Sequence, residues 1–154
     1  MRPSIHLVSV TCGIGLTVGC GLIGSSSPPL MRGSIKAAAT TNPDLRGRPS
    51  PIVVRVYELK SIAAFGNADF FALFDKESET LGRDLVGREE YDLRPDETLP
   101  YRRQLQPDTK FIGVVAAFRD LEKSRWRQTV AVPKKRGANI VIAVETQAVS
   151  MTIK

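Results

Sequence analysis

The residue types able to do nucleophilic or metal chemistry are scarce in this 154-residue chain, and they crowd into its first twenty positions. Both cysteines, Cys12 and Cys20, and the single histidine, His6, lie in one apolar N-terminal stretch. Beyond residue 20 the only sulfur belongs to Met31 and Met151, which excludes a disulfide or a thiolate metal site in the body of the chain. If the stretch is removed, no imidazole or thiol is left, so Ser-His-Asp and Cys-His arrangements are unavailable. Carboxylate pairs remain at Glu89 with Glu90 and at Asp92 with Asp96. On a strand, however, Glu89 and Glu90 point to opposite faces and cannot share a site. No loop has calcium-ligand spacing, and Gly13-Ile14-Gly15 is neither a phosphate cradle nor a dinucleotide fingerprint. Arg119 and Asp120 near Trp126 read as a strand-end ion pair beside a core tryptophan. These residues argue against an enzyme and call for no cofactor and no metal. What remains is one thiol as an attachment point.

The sequence around Cys20 says what kind of attachment. Arg2 provides a single positive charge, and from Ile5 to Ile23 no residue is charged. That run grazes the length of a membrane span, about 18 to 20 apolar residues. Its glycines at 13, 15, 19 and 21 make a poor permanent helix, so a secretory leader over residues 1–19 fits better. Leu16-Thr17-Val18-Gly19-Cys20 resembles the lipobox of bacterial lipoprotein signals, although Thr17 stands where Leu is usual. The resemblance implies cleavage before Cys20, acylation of its sulfur and acylation of the new N-terminus. Two or three acyl chains make attachment nearly permanent, since each buried methylene adds about 0.8 kcal/mol. Gly21 occupies the position where Asp usually signals retention in the inner membrane, which favours the outer membrane, facing the periplasm. The competing reading is a plain secretory signal with an incidental cysteine. Residues 20–33 read as a lipidated tether, because Gly24 to Gly33 is rich in Ser, Pro and Gly.

The formal charge is +6, and loss of Arg2 with the leader leaves +5. The cations are dispersed, and only Lys134, Lys135 and Arg136 form a run. That spacing argues against nucleic acid, which requires several cations on one face.

Over residues 34–154, alternation predicts an all-β sandwich of seven or eight strands. Ile52 to Leu59 is the clearest strand, with Ile52, Val54 and Val56 on one face and Val53, Arg55 and Tyr57 on the other. Phe111 to Phe118, Ala138 to Glu145 and Val149 to Lys154 also read as strands. Weaker strands are expected at Ser34–Thr41, Glu89–Leu93, Thr98–Leu105 and Arg125–Val132. Helical spacing interrupts them over about 67–82, with Asn67 or Asp69 as the cap and Gly82 as the stop. This insertion is expected to be one helix or two short ones over an open end of the sandwich. Its stripe Phe70, Phe71 and Phe74 reads as core filling, and the clustered aromatics suggest one core.

Several blocks together resemble a known family. They are Pro51 to Leu59, Phe65 to Phe71 (Phe-Gly-Asn-Ala-Asp-Phe-Phe), Leu81-Gly82, Gly113 to Asp120 (Gly-Val-Val-Ala-Ala-Phe-Arg-Asp) and Trp126-Arg127. In order and spacing they resemble the type VI secretion outer-membrane lipoproteins, called TssJ, SciN or VasD, from about Asn42 to Val132. The resemblance implies a transthyretin-like sandwich that binds the periplasmic C-terminal part of the inner-membrane protein TssM. It also implies that the loop between the first two strands makes the contact. Here that loop is Asn42, Pro43, Asp44, Leu45, Arg46, Gly47, Arg48 and Pro49, ending at Ser50. Its own chemistry agrees: two prolines stiffen it, and Leu45 is an apolar knob between Asp44 and Arg46. Leu45, Arg46 and Arg48 are the expected contributors to binding. Other readings are a bare hairpin connection, a lipoprotein with a small hydrophobic or glycan ligand under a helical lid, and cell-wall attachment through Lys134 to Arg136.

Overall fold

In the computed structural model, residues 28–134 and 137–154 are described. The leader, Cys20, most of the expected tether, Lys135 and Arg136 lie outside the described residues. The alternating pattern resolves into eight strands: β1 (Leu30–Ala37), β2 (Ile52–Leu59), β3 (Leu85–Leu93), β4 (Thr98–Gln104), β5 (Phe111–Ala116), β6 (Arg127–Ala131), β7 (Gly137–Val144) and β8 (Val149–Ile153). They form two four-stranded sheets, ordered β4-β1-β7-β8 and β3-β2-β5-β6, the expected two-sheet sandwich. Neighbours are antiparallel except β1 and β7, which run parallel in register from Leu30 opposite Gly137 to Ala37 opposite Val144.

The sheets meet through one side-chain parity of each strand. Met31 and Ile35 of β1, Val54 of β2, Ile112 and Val114 of β5, and Ile140 and Ile142 of β7 are fully buried between them. Each such side chain contributes about 1.5 to 3 kcal/mol relative to an exposed one.

Several expectations need correction. The tether ends sooner than expected, because Leu30 to Gly33 are already part of β1 and Met31 is 0% exposed. Gly33 there is not a flexibility residue: at φ 154°, a Cβ would lie 1.6 Å from the Ile140 carbonyl oxygen. Only glycine lets β1 and β7 approach this closely.

The insertion is three short helices, α1 (Ala63–Asn67), α2 (Phe70–Asp75) and α3 (Glu77–Leu81), followed by a single tight turn at Gly82–Asp84. Asp69 caps α2 by accepting from the Ala72 amide at 2.8 Å. The helices do not close an open end. They cover the outer face of the β3-β2-β5-β6 sheet, because that sheet is apolar on both sides. Tyr57, Leu59 and Val115 point outward and pack beneath Phe65, Leu73 and Leu81, forming a second apolar cluster where one was expected. Phe71 is not core filling, since it is 63% exposed.

The layer under the helices is tight. A Cβ on Gly113 would lie 2.8 Å from the Phe65 ring, so this glycine makes room for an aromatic. At this point the space beneath the helices is filled by the Phe65 ring and the Leu59 side chain. Polar ties fasten the helices. Tyr57 donates to the Leu73 carbonyl at 3.0 Å, Arg127 to the carbonyls of Phe65 and Ala68, and Arg55 to that of Phe74 while lying 3.7 Å over its ring. Arginines at the ends of these helices satisfy carbonyls that have no partner within the helix.

The connections sort to two ends. One end carries the entry of β1 at Leu30, the β4–β5 link (105–110), the exit of β6 at Ala131 and the entry of β7 at Gly137. The opposite end carries the β1–β2 loop (38–51), the β3–β4 turn (94–97), the β5–β6 link (117–126) and the β7–β8 hairpin (145–148).

Candidate functional site

The β1–β2 loop is built from its base upward. Thr41 and Asn42 are buried and fasten the base to neighbouring elements. The Thr41 hydroxyl donates to the Glu145 carbonyl at 3.0 Å, and the Asn42 amide N–H to that of Thr146 at 3.1 Å. The Asn42 side chain donates to the Pro51 carbonyl at 2.8 Å and accepts from the Arg119 amide at 2.8 Å. Asn42 also takes φ 48°, a left-handed conformation that asparagine tolerates better than most residues. It is therefore a joint between the loop and the Phe118–Arg119 segment, and at 4% exposure it offers a partner almost nothing. That corrects its expected place among the contact residues.

Asp44 organises the upper part. One carboxylate oxygen accepts from the amides of Arg46 at 2.8 Å and Arg48 at 3.0 Å, and the other from the Arg48 guanidinium at 2.8 Å. The backbone closes the same ring, Gly47 donating to the Asp44 carbonyl and Asp44 to that of Arg48, both at 2.9 Å. Gly47 turns the chain at φ 77°, and a side chain there would meet nothing. The Arg48 amide, and then its guanidinium, hold the Asp44 carboxyl below the usual carboxylate range. With a lowered pKa, this ordering is present above the unfolded value and is lost as pH falls through the folded one. At neutral pH the ring is closed.

The product of this scaffold is one apolar side chain held in water. Leu45 is 108% exposed, while Arg46, Gly47, Arg48 and Pro49 around it are exposed and Pro43 is half-buried. The structure thus brings Leu45, Arg46 and Arg48 together at the tip and makes Asp44 an internal clamp rather than a contact. Sequence reading missed the clamp, although Asp-Leu-Arg-Gly-Arg carries its local signal, an Asx-type turn; the ties to Glu145, Thr146 and Arg119 have none, because they join residues 77 to 104 positions apart. Arg119 and Asp120 do not pair with each other: Asp120 meets Lys123 at 3.3 Å, and Trp126 packs against Phe70 and beneath Arg127.

The chain resembles known proteins over this whole body. The family described as type VI secretion lipoprotein, VasD, EvfM, TssJ matches residues 30–147. Among solved structures, the type VI secretion lipoprotein TssJ1 from Pseudomonas aeruginosa is 40% identical, with a TM-score of 0.80 over 82% of this chain and 97% of that one. A chain in a structure described as a type VI membrane complex is 26% identical, with a TM-score of 0.73 over 81% and 98% of the two chains. Another, in a structure described as the TssM C-terminal domain from EAEC, is 26% identical, with a TM-score of 0.66 over 80% and 97%. A search of curated proteins gives no match.

Proposed function

The chain belongs to the type VI secretion lipoprotein family, and from that premise we propose that it is fixed to the outer membrane by an acylated Cys20, faces the periplasm, and holds the periplasmic C-terminal part of a TssM-type inner-membrane protein through the loop tip at Pro43, Leu45, Arg46, Gly47, Arg48 and Pro49, with Asp44 as its clamp. It ties the secretion machine to the outer membrane and catalyses nothing. The observation that carries this reading is Leu45, fully exposed on a loop locked from below, at the end of the sandwich opposite the entry of β1. An isolated exposed leucine is costly to order for no gain, whereas a preorganised one spares the entropy of fixing a loop on binding. Arg46 and Arg48 beside it are the residue type enriched at binding hot spots. Chains similar to this one occur in structures described as a type VI membrane complex and as a TssM C-terminal domain, which supports the choice of partner.

The test is capture of a purified TssM periplasmic C-terminal region by the full chain. Replacing Leu45 and Arg46 together by Ala should weaken capture at least about tenfold, the size expected when hot-spot residues are truncated. Thermal unfolding should stay unchanged, because neither side chain is buried. Undiminished capture would clear the loop of any role. Separately, Cys20→Ser should abolish labelling by a fatty-acid analogue and release the protein from membranes; retention of both would refute the anchor.

A further inference from the structure

We propose that the outer face of the β4-β1-β7-β8 sheet lies against the anionic phospholipid surface of the membrane that holds the anchor. The inference rests on acylation of Cys20 and adds to it an orientation of the body. Arg32 and Lys36 of β1, Arg102 of β4 and Lys154 beyond β8 are exposed on that face. The outward positions of these four strands hold no Asp or Glu. Among the described residues none of the four cations forms an ion pair. Arg32 stands directly opposite Arg102 across the β1–β4 ladder, a like-charge pairing that sheets ordinarily avoid. The other sheet shows what neutralisation looks like: on its outer face Arg55 and Arg88 are both matched by Glu77 and Glu90.

Position selects the occupant. The chain enters this sheet at Leu30, two residues before Arg32, and Cys20 lies about ten residues upstream. Ten residues reach at most about 35 Å, and an eight-residue strand is about 27 Å long. A bilayer holding Cys20 is therefore always within reach of the face, at a concentration no free polyanion matches. An anionic leaflet attracts basic groups close to it, and the attraction fades within a Debye length. Laid down this way, the body turns its helical layer toward the aqueous side.

The experiment uses the acylated full chain carrying Thr152→Cys, an exposed outward position of β8, labelled with a fluorophore. The protein is reconstituted in phosphatidylcholine vesicles with or without about 30% phosphatidylglycerol, each containing an acceptor lipid. Energy transfer to the bilayer should be about twofold higher on the anionic vesicles. It should fall to the neutral value in about 0.5 M NaCl, where screening is short-ranged. The triple variant Arg32→Glu, Lys36→Glu, Arg102→Glu should lose the difference without any change in retention on vesicles. Retention with equal transfer on both compositions would overturn the orientation and leave the anchor standing. Displacement of the labelled face from anionic vesicles by soluble cell-wall fragments at low salt would overturn it equally. More than one dye per chain together with loss from the vesicles would mean that Cys20 carries no lipid, and the orientation falls with the anchor.

Discussion

In the β4-β1-β7-β8 sheet, the side chains pointing away from the core include Ser34, Thr98, Thr152 and cations that form no ion pair among the described residues. In the β3-β2-β5-β6 sheet the same positions hold Tyr57, Leu59, Phe111 and Val115. Both sheets share one inner core, yet only the second demands a third layer. An exposed patch of that size would be an association hazard, so the chain between β2 and β3 folds back as three helices to cover it. The first sheet, polar outside, stays bare and keeps its charges. The difference teaches that the helical insertion answers a need of one sheet face and that the bare face remains free for another use.

The comparison can be broken most severely at Gly33. Gly33→Ala should cost about 4 kcal/mol or more, read as a large drop in the urea midpoint, because β1 and β7 must separate to admit a Cβ. Next comes the covered face: Phe65→Ala should cost about 3 to 5 kcal/mol, since Phe65 of α1 is fully buried between the helical layer and the sheet. Alkali probes the same layer. Burial pushes the Tyr57 hydroxyl up to about 12. A raised pKa means that stability is whole below the unfolded value near 10 and is lost as pH rises toward 12, by about 1.4 kcal/mol per unit for this group. Tyr57→Phe should remove that component of the slope in denaturation series between pH 9 and 12. The smallest effect belongs to the bare face. Arg102→Gln should shift stability by no more than about 0.5 kcal/mol, and toward stabilisation, by relieving the repulsion with Arg32.

Much of this is readable from residue order. Alternation locates β2, and it finds β4, β7 and β8 to within a residue or two at each end, while the nearly continuous apolar run of a strand buried on both faces does the same for β5. The first strand reads too late, as Ser34–Thr41, since Pro28-Pro29 and Gly33 look like linker composition while Gly33 in fact serves strand packing. The parallel pairing of β1 with β7 is invisible, because a period of two assigns faces but not partners. The helical layer's position does have a signal: Tyr57 and Leu59 make β2 apolar on its second face, which requires cover. At the loop, local chemistry is legible in the prolines, Gly47 and the lone Leu45. The burial of Asn42 is not, because it depends on Pro51, Arg119 and Thr146 meeting at one corner of the fold.

The place of β1 in the middle of its sheet has a mechanical consequence. Tension applied between an anchor upstream of Leu30 and a grip on Leu45 would travel along this one strand and never cross the core. The backbone of β1 itself would carry that load, while its hydrogen bonds to β4 on one side and β7 on the other lie across the line of pull and hold the strand in register. A pull directed along β1 would therefore leave the packing between the two sheets unloaded.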